Sequence, residues 1–192
     1  MTMRIGVLAL QGDVREHAAA LERIGAEPVL VRSPADLDAV AALIIPGGES
    51  TTMGKLADRY GLIEPLRGRI AGGMPVLGTC AGMILLATGT TSPVHQHQLG
   101  VLDVIVERNA FGRQVESFEV ALDVKGFDEP MWGVFIRAPR VADVGAGVDV
   151  LAEIDGRPVM VRQGAIVATS FHPELTGDDR LHTLILQMAG ES

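Results

Sequence analysis

The chain contains a single cysteine, Cys80, set in Gly78-Thr79-Cys80-Ala81-Gly82 between the apolar strand pattern of Pro75–Leu77 and the apolar helix pattern of Met83–Ala87. A strand–turn–helix with glycines at both second positions around its central residue is the thiol counterpart of a nucleophile elbow, which projects one side chain from the edge of a sheet. At the N-terminus of the following helix, a thiol faces the positive end of the helix dipole, which favours the thiolate. The Ala81 N–H would then point where an oxyanion forms on a substrate carbonyl. A lone cysteine is otherwise an inert small hydrophobe of the core. The elbow pattern sets Cys80 apart.

A thiol that transfers acyl groups needs a base to take its proton and return it to the leaving group. The candidates are His17, His95, His97, His172 and His182. His172 stands out because Ser170-Phe171-His172-Pro173-Glu174 follows the strand pattern Ala165–Ser170, so it should emerge at a strand end as Cys80 does. Glu174, two residues on, points the same way if the segment is extended, and its carboxylate could hold the imidazole's tautomer and stabilise the imidazolium. His95-Gln96-His97 reads as a solvated loop rather than a metal site, since no acidic or thiol ligand stands beside it. His182 reads as structural, and His17, near the strand-end edge, as a contact for a partner.

Pro46-Gly47-Gly48-Glu49-Ser50-Thr51-Thr52 directly follows the strand Ala42–Ile45. Paired glycines let backbone N–H groups face an anion at close range, so Gly48 could complement Ala81 in an oxyanion hole, with Ser50 or Thr51 capping the next helix. A phosphate-binding loop is excluded, because Met53-Gly54-Lys55-Leu56 lacks the Gly-Lys-Ser/Thr spacing. In a parallel sheet, ligands sit outside the carboxyl ends of the strands. Gln11-Gly12, Gly47-Gly48 and Cys80 each follow a strand, so all should share that edge.

The elements that must position these residues alternate. Ile5–Leu10, Pro28–Val31, Ala42–Ile45 and Pro75–Leu77 read as buried strands, and helical patterns at Val14–Ile24, after Ser33-Pro34, and at Thr51–Asp58 and Ile63–Ala71 lie between them. Strands apolar on both faces imply a parallel sheet covered by helices. In the second half, Val101–Val106, Gln114–Val124, Trp132–Ala138, Asp149–Ile154, Pro158–Arg162 and Ala165–Ser170 are strand-like, and Asp155-Gly156 marks a hairpin. A helix over Asp178–Met188 closes the chain. The 192 residues show no internal repeat or long linker, so one domain spanning 1–192 is expected, α/β with an antiparallel extension.

Sixteen basic against twenty-four acidic residues, a formal charge of −8, argue against a nucleic-acid or anionic-membrane surface. One cysteine excludes an intrachain disulfide. The uncharged stretch Ala71–Leu102 is broken by Pro75, Pro93 and several glycines and does not read as a membrane span. The N-terminal apolar run is too short for a signal peptide. A cytoplasmic chain is expected.

Together these features resemble the class I (triad) glutamine amidotransferases. Blocks at Gly6–Gly12, Pro46–Met53, Gly78–Gly82, Glu107–Gln114, Phe135–Pro139 and Ser170–Leu175 resemble more narrowly the glutaminase subunits of pyridoxal 5′-phosphate synthases, with Arg-Asn-x-Phe-Gly-Arg and Phe-Ile-Arg-Ala-Pro separating them from other glutaminases. The resemblance implies a three-layer α/β fold, no cofactor and no metal. It implies that Cys80 attacks the glutamine amide, with His172 as base then acid and Glu174 orienting it. Gly48, Glu49, Ser50, Arg108, Ile136 and Arg137 would bind the substrate; outside that family Arg108 and Arg137 would read as strand-end salt bridges. The partner implied is a synthase subunit in a large hetero-oligomer, contacted near Gln11 to His17, with the isolated glutaminase poorly active until docking orders its oxyanion loop. A catalytically silent subunit and a cysteine peptidase or deglycase-like enzyme of similar fold are the rival expectations.

Overall fold

The computed structural model describes residues 2–92, 97–108 and 117–191. The first half builds β1 (Arg4–Leu8), α1 (Val14–Arg23), β2 (Glu27–Val31), α2 (Pro34–Asp38), β3 (Ala42–Ile45), α3 (Ser50–Arg59), α4 (Ile63–Ala71), β4 (Val76–Thr79) and α5 (Ala81–Leu86). The second half adds β5 (Ala87–Thr90), β6 (Leu102–Glu107), β7 (Ser117–Leu122), β8 (Met131–Ile136), β9 (Arg140–Val144), β10 (Asp149–Ile154), β11 (Arg157–Gln163), β12 (Ile166–Thr169), a 3₁₀ turn (Pro173–Leu175) and α6 (Arg180–Gly190).

The central sheet has seven strands in the order β10-β11-β12-β4-β3-β1-β2. From β12 to β2 every neighbour is parallel, and β11 and β10 continue the sheet antiparallel. The expected mostly parallel sheet with an antiparallel extension is therefore what forms. β5-β6-β9 and the β7-β8 ribbon make two further small sheets.

Every residue of β3 and β4 is buried, because helices cover both faces. Strand periodicity divides the apolar residues between those faces. Leu43, Ile45 and Val76 pack with Leu37, Met53, Leu66 and Leu85 of α2 to α5. Ala42, Ile44 and Leu77 pack on the other face with Leu21 of α1 and Leu181 and Ile185 of α6. Local signals set several boundaries. Ser33 caps α2 in a reciprocal box, its hydroxyl accepting from the Asp36 N–H at 3.3 Å while Asp36 accepts from the Ser33 N–H at 2.9 Å. Asp155 and Gly156, with φ of 50° and 71°, make the tight β10–β11 turn.

Three local expectations change. The helix after Cys80 ends at Leu86, and Ala87 opens strand β5, which pairs in parallel with β6. Strand β9 forms at Arg140–Val144, where no strand was expected, and pairs antiparallel with β6. The expected strand from Gln114 begins at Ser117 among the described residues, and residues 114–116 lie outside them.

Helix α5 leaves β4 at very close range. A Cβ on Gly82 would run into the backbone carbonyl of Ile45 on the neighbouring strand, and a Cβ on Gly78 would sit 2.9 Å from the Gly82 carbonyl carbon. Backbone obstacles of this kind do not rotate away. Gly82→Ala should therefore cost about 1–3 kcal/mol of stability, as overpacking typically does. Urea unfolding would show it as a lower midpoint at unchanged slope, and a midpoint equal to wild type would contradict this packing.

Candidate functional site

Four adjacent parallel strands end at one edge, and their loops carry the chemistry. β12 and β4 pair with Thr169 beside Thr79, so the residues after them emerge side by side. The Cys80 N–H donates to the Thr169 carbonyl at 2.8 Å, fixing the elbow to the strand that leads to His172. On the other side β3 pairs with β4 and β1 with β3, which brings the Gly47-Gly48 loop and the Gln11–Asp13 loop to the same edge. Cys80 has φ 50° and ψ −103°. Such a conformation costs a non-glycine residue about 1–3 kcal/mol and persists only where its surroundings impose it.

His172 is placed by its own backbone, since its N–H donates to the Val134 carbonyl of β8 at 2.9 Å. Its Nδ1 lies 2.7 Å from Glu174 Oε1, and all three of Cys80, His172 and Glu174 are more than nine-tenths buried. Glu174 arrives there differently from the expected extended alternation. Pro173–Leu175 is a 3₁₀ turn, which folds the carboxylate back under the imidazole. A second carboxylate, Asp13 Oδ2, stands 3.2 Å from the same Nδ1. With Nδ1 engaged, Nε2 is the nitrogen left for Cys80. Burial alone would lower the pKa of His172, but hydrogen bonding with Asp13, Cys80 and Glu174 overrides it and raises the imidazole well above its ordinary value. The site thus stabilises the imidazolium, the form in which the ring has already taken a proton.

Cys80 and His172 floor a cavity of about 390 Å³. Gly48, Glu49 and Ser50 line one side, Ala81 and Ile84 come from the elbow helix, and Arg108, Ile136 and Arg137 complete the wall. Every residue expected at the site borders this cavity except Glu174, which lies behind His172. Ala81 opens α5, so its N–H belongs to the first helical turn, where no intrahelical acceptor exists. Gly47 packs so tightly on His172 that a Cβ there would approach Nδ1 to 2.9 Å. A larger hollow of about 650 Å³ lies over Asp123–Pro130 and Val150–Glu153, but neither thiol nor imidazole lines it.

The two arginines differ. Arg108 reaches Glu49 Oε1 at 3.2 Å and the Thr51 hydroxyl at 3.4 Å. Arg137, exposed at the rim, has φ 42° just past the end of β8, a second strained non-glycine backbone at this site. Among the described residues its guanidinium has no ion-pair partner, leaving its charge available to a ligand.

Glu49 has a role the sequence reading assigned to Ser50 or Thr51. It caps α3, its carboxylate accepting from the Thr51 N–H at 3.0 Å, the Thr52 N–H at 2.7 Å and the Thr52 hydroxyl at 2.7 Å. The Glu49 N–H in turn donates to Gln11 Oε1 at 2.6 Å, which ties this loop to the one after β1. Burial pushes the carboxyl up, but the hydrogen bonds from Thr52 and Thr51 outweigh it and hold the pKa at about 2.

Further residues stand apart from expectation. Asp13 was missed, although an acidic side chain just past a strand end on this edge is a signal of the same kind as Gly48. His17, expected at a partner contact, is fully buried beneath the site and has no surface to offer. His182 is buried beside it. His97 packs on Gly54, and its expected companion His95 lies outside the described residues. Residues 109–116, which carry much of the Arg-Asn-x-Phe-Gly-Arg block, also lie outside them. Asp13, His172 and Glu174 offer ligand atoms within 4.8 Å of one another, the one metal-capable grouping found among the described residues. Both carboxylates converge on a single ring nitrogen, however, an arrangement suited to orienting an imidazole. No helix among the described residues is long and apolar enough to cross a membrane.

Comparison with known proteins follows this geometry. A model of the SNO glutamine amidotransferase family matches residues 7–191. The pyridoxal 5′-phosphate synthase subunit PdxT of Streptomyces avermitilis is 60% identical, over 96% of this chain and 92% of its own. The PdxT of Thermus thermophilus is 57% identical, over 97% of each. A crystal structure of a glutamine amidotransferase superposes with a TM-score of 0.93 at 55% identity, covering 97% of this chain and 98% of that one.

The Glu49 cap carries a pH signature. A carboxyl held at about 2 when folded, against 4.5 when free, contributes stability that is complete above the free value and is lost as pH falls toward 2. Glu49→Gln should lower stability at pH 7 by about 1 kcal/mol, the usual worth of a cap. In urea unfolding the gap to wild type should narrow steadily below pH 4.5. A gap independent of pH would show that the charge does not matter.

Proposed function

Because the chain belongs to the SNO glutamine amidotransferase family, we propose that it is the glutaminase subunit of a pyridoxal 5′-phosphate synthase, hydrolysing L-glutamine to L-glutamate and ammonia and passing the ammonia to a separate synthase chain. The observation that carries this reading is a strained elbow thiol facing an imidazole whose other nitrogen is held at 2.7 Å by a buried carboxylate.

The Cys80 proton moves to His172 Nε2 and Sγ bonds to the side-chain amide carbon of glutamine. The amide oxygen becomes an oxyanion, received by the N–H groups of Ala81 and Gly48. As the tetrahedral intermediate collapses, the C–N bond breaks and His172 delivers its proton to the departing nitrogen, which leaves as ammonia. The γ-glutamyl thioester is then attacked by water, His172 takes the water's proton, and the C–S bond breaks to release glutamate and restore the thiol. Glu174 keeps the ring aligned through both halves, and Asp13 adds a second negative charge beside the imidazolium.

Arg137, without an ion-pair partner among the described residues, offers its cation to the substrate's α-carboxylate, and Arg108, paired with Glu49, lines the same cavity. Glu49 and Ser50 supply acceptors for the α-ammonium, and Ile136 contributes through its backbone. These groups suit a free amino acid rather than a peptide, whose amide bonds carry neither charge. The names of the relatives support a synthase subunit as partner, in a hetero-oligomer assembled from separate chains. A cytoplasmic location accords with a catalytic thiol that must stay reduced.

With the synthase subunit present, Cys80→Ala should release no glutamate from glutamine above background while unfolding near the wild-type midpoint. Glutamate release at the wild-type rate from that variant would overturn the assignment.

A further inference from the structure

Behind the triad carboxylate lies a pair of imidazoles that the proposed reaction does not use. Glu174 gives Oε1 to His172, while its other oxygen, Oε2, is buried without a close hydrogen-bond partner among the described residues. The group facing Oε2 is His17 Nε2 of α1, 3.4 Å away, with both side chains fully buried. The same Nε2 lies 3.2 Å from the hydroxyl of Thr79, the residue preceding the nucleophile. On its other side, His17 Nδ1 meets His182 Nε2 of α6 at 2.9 Å, and His182 Nδ1 has no hydrogen-bond partner among the described residues.

That orphaned atom decides where the protons sit. Buried N–H groups without an acceptor are rarer than acceptors without a donor, which assigns the proton of the neutral His182 to Nε2, donated to His17 Nδ1. His17 Nδ1 is then an acceptor, and His17 must carry its own proton on Nε2, the nitrogen that faces Glu174 and Thr79. Burial keeps both rings neutral, holding His17 well below its ordinary pKa and His182 down to about 4. Helix α6 therefore fixes a tautomer on α1, which aims one N–H between the carboxylate behind His172 and the strand end that carries Cys80.

We propose that His17 is a positioning residue for the triad: its Nε2–H, oriented by His182, stands 3.4 Å from the far oxygen of Glu174 and by electrostatic attraction steadies the carboxylate whose near oxygen is aligned on His172 Nδ1. This rests on the glutaminase reading above, and the rival account is that the two rings merely fill the space between α1 and α6.

Nitrogen-15 NMR of histidine-labelled wild-type protein at pH 7 should show His17 and His182 both as neutral Nε2–H tautomers. An Nδ1–H tautomer or an imidazolium at His17 would overturn the proposal, without any variant having to fold. In the complex with the synthase subunit, His17→Leu should lower kcat for glutamate release about 10- to 100-fold, as loss of a partner that orients a reactive group does, with KM within about threefold because His17 does not line the cavity. His17→Gln, whose amide N–H can occupy the Nε2 position, should recover most of that loss. The downfield Nδ1–H resonance of His172 should move in the Leu variant and return in the Gln variant. Full activity in His17→Leu, or equal losses in both variants with the His172 resonance unmoved, would leave only a packing role. If the wild-type complex released no glutamate, the glutaminase reading would fail instead, and the tautomer measurement would stand apart from it.

Discussion

The backbone of Cys80 is the constraint on which the rest of the molecule turns. At φ 50° and ψ −103° it converts the direction of β4 into that of α5 within one residue, and no relaxed conformation of a non-glycine residue does this. The strain is held from three sides. β12 accepts the Cys80 N–H, Gly82 lets α5 sit against the Ile45 carbonyl of β3, and the buried residues on both faces of the sheet leave β4 no room to shift. The thiol is thereby presented at the sheet edge by a strand that is buried along its whole length. Rigidity of this kind is what a nucleophile needs if its target carbon is to meet it at a productive angle.

Around that fixed thiol the edge is organised by charge. Three acidic side chains, Asp13, Glu49 and Glu174, arrive from three separate loops, and each is given a cationic or N–H partner. Asp13 and Glu174 share one nitrogen of His172, and Glu49 takes the first N–H groups of α3 together with Arg108. Arg137 stands at the cavity rim with no ion-pair partner among the described residues. The formal charge of −8 says nothing of this arrangement; the function depends on local pairing, and the excess of acidic residues elsewhere is a property of the surface.

The sequence made legible whatever depends on short-range physics. Alternating apolar runs placed β1, β3 and β4 to within a residue or two. Ser33-Pro34 marked the start of α2, and the glycines around Cys80 marked the elbow, because each signal is carried by a few neighbouring residues. His172 and Glu174 do meet, at 2.7 Å, but a 3₁₀ turn rather than the expected extended segment joins them. What escaped was set by packing between distant elements. His17 looked like an edge residue on the helix after β1, yet contact with His182 from a helix 165 positions away buries it completely. Asp13 escaped for the same reason, since its partner His172 comes from another loop of the sheet edge; the Glu49 cap is local, and escaped because neighbouring Ser50 and Thr51 offered equally plausible acceptors. Strands β5 and β9 form because β6 offers them edges to pair with, and their own patterns are weak.

The chain belongs to the SNO glutamine amidotransferase family, and the proposed reaction makes Cys80 its nucleophile. The most direct measurement is covalent. A glutamine analogue bearing an alkylating carbonyl, incubated with the chain and its synthase subunit, should place a single adduct on Cys80, read by peptide mass mapping, as glutamate release stops. Loss of activity with Cys80 unmodified, or continued glutamate release with Cys80 fully alkylated, would contradict the account.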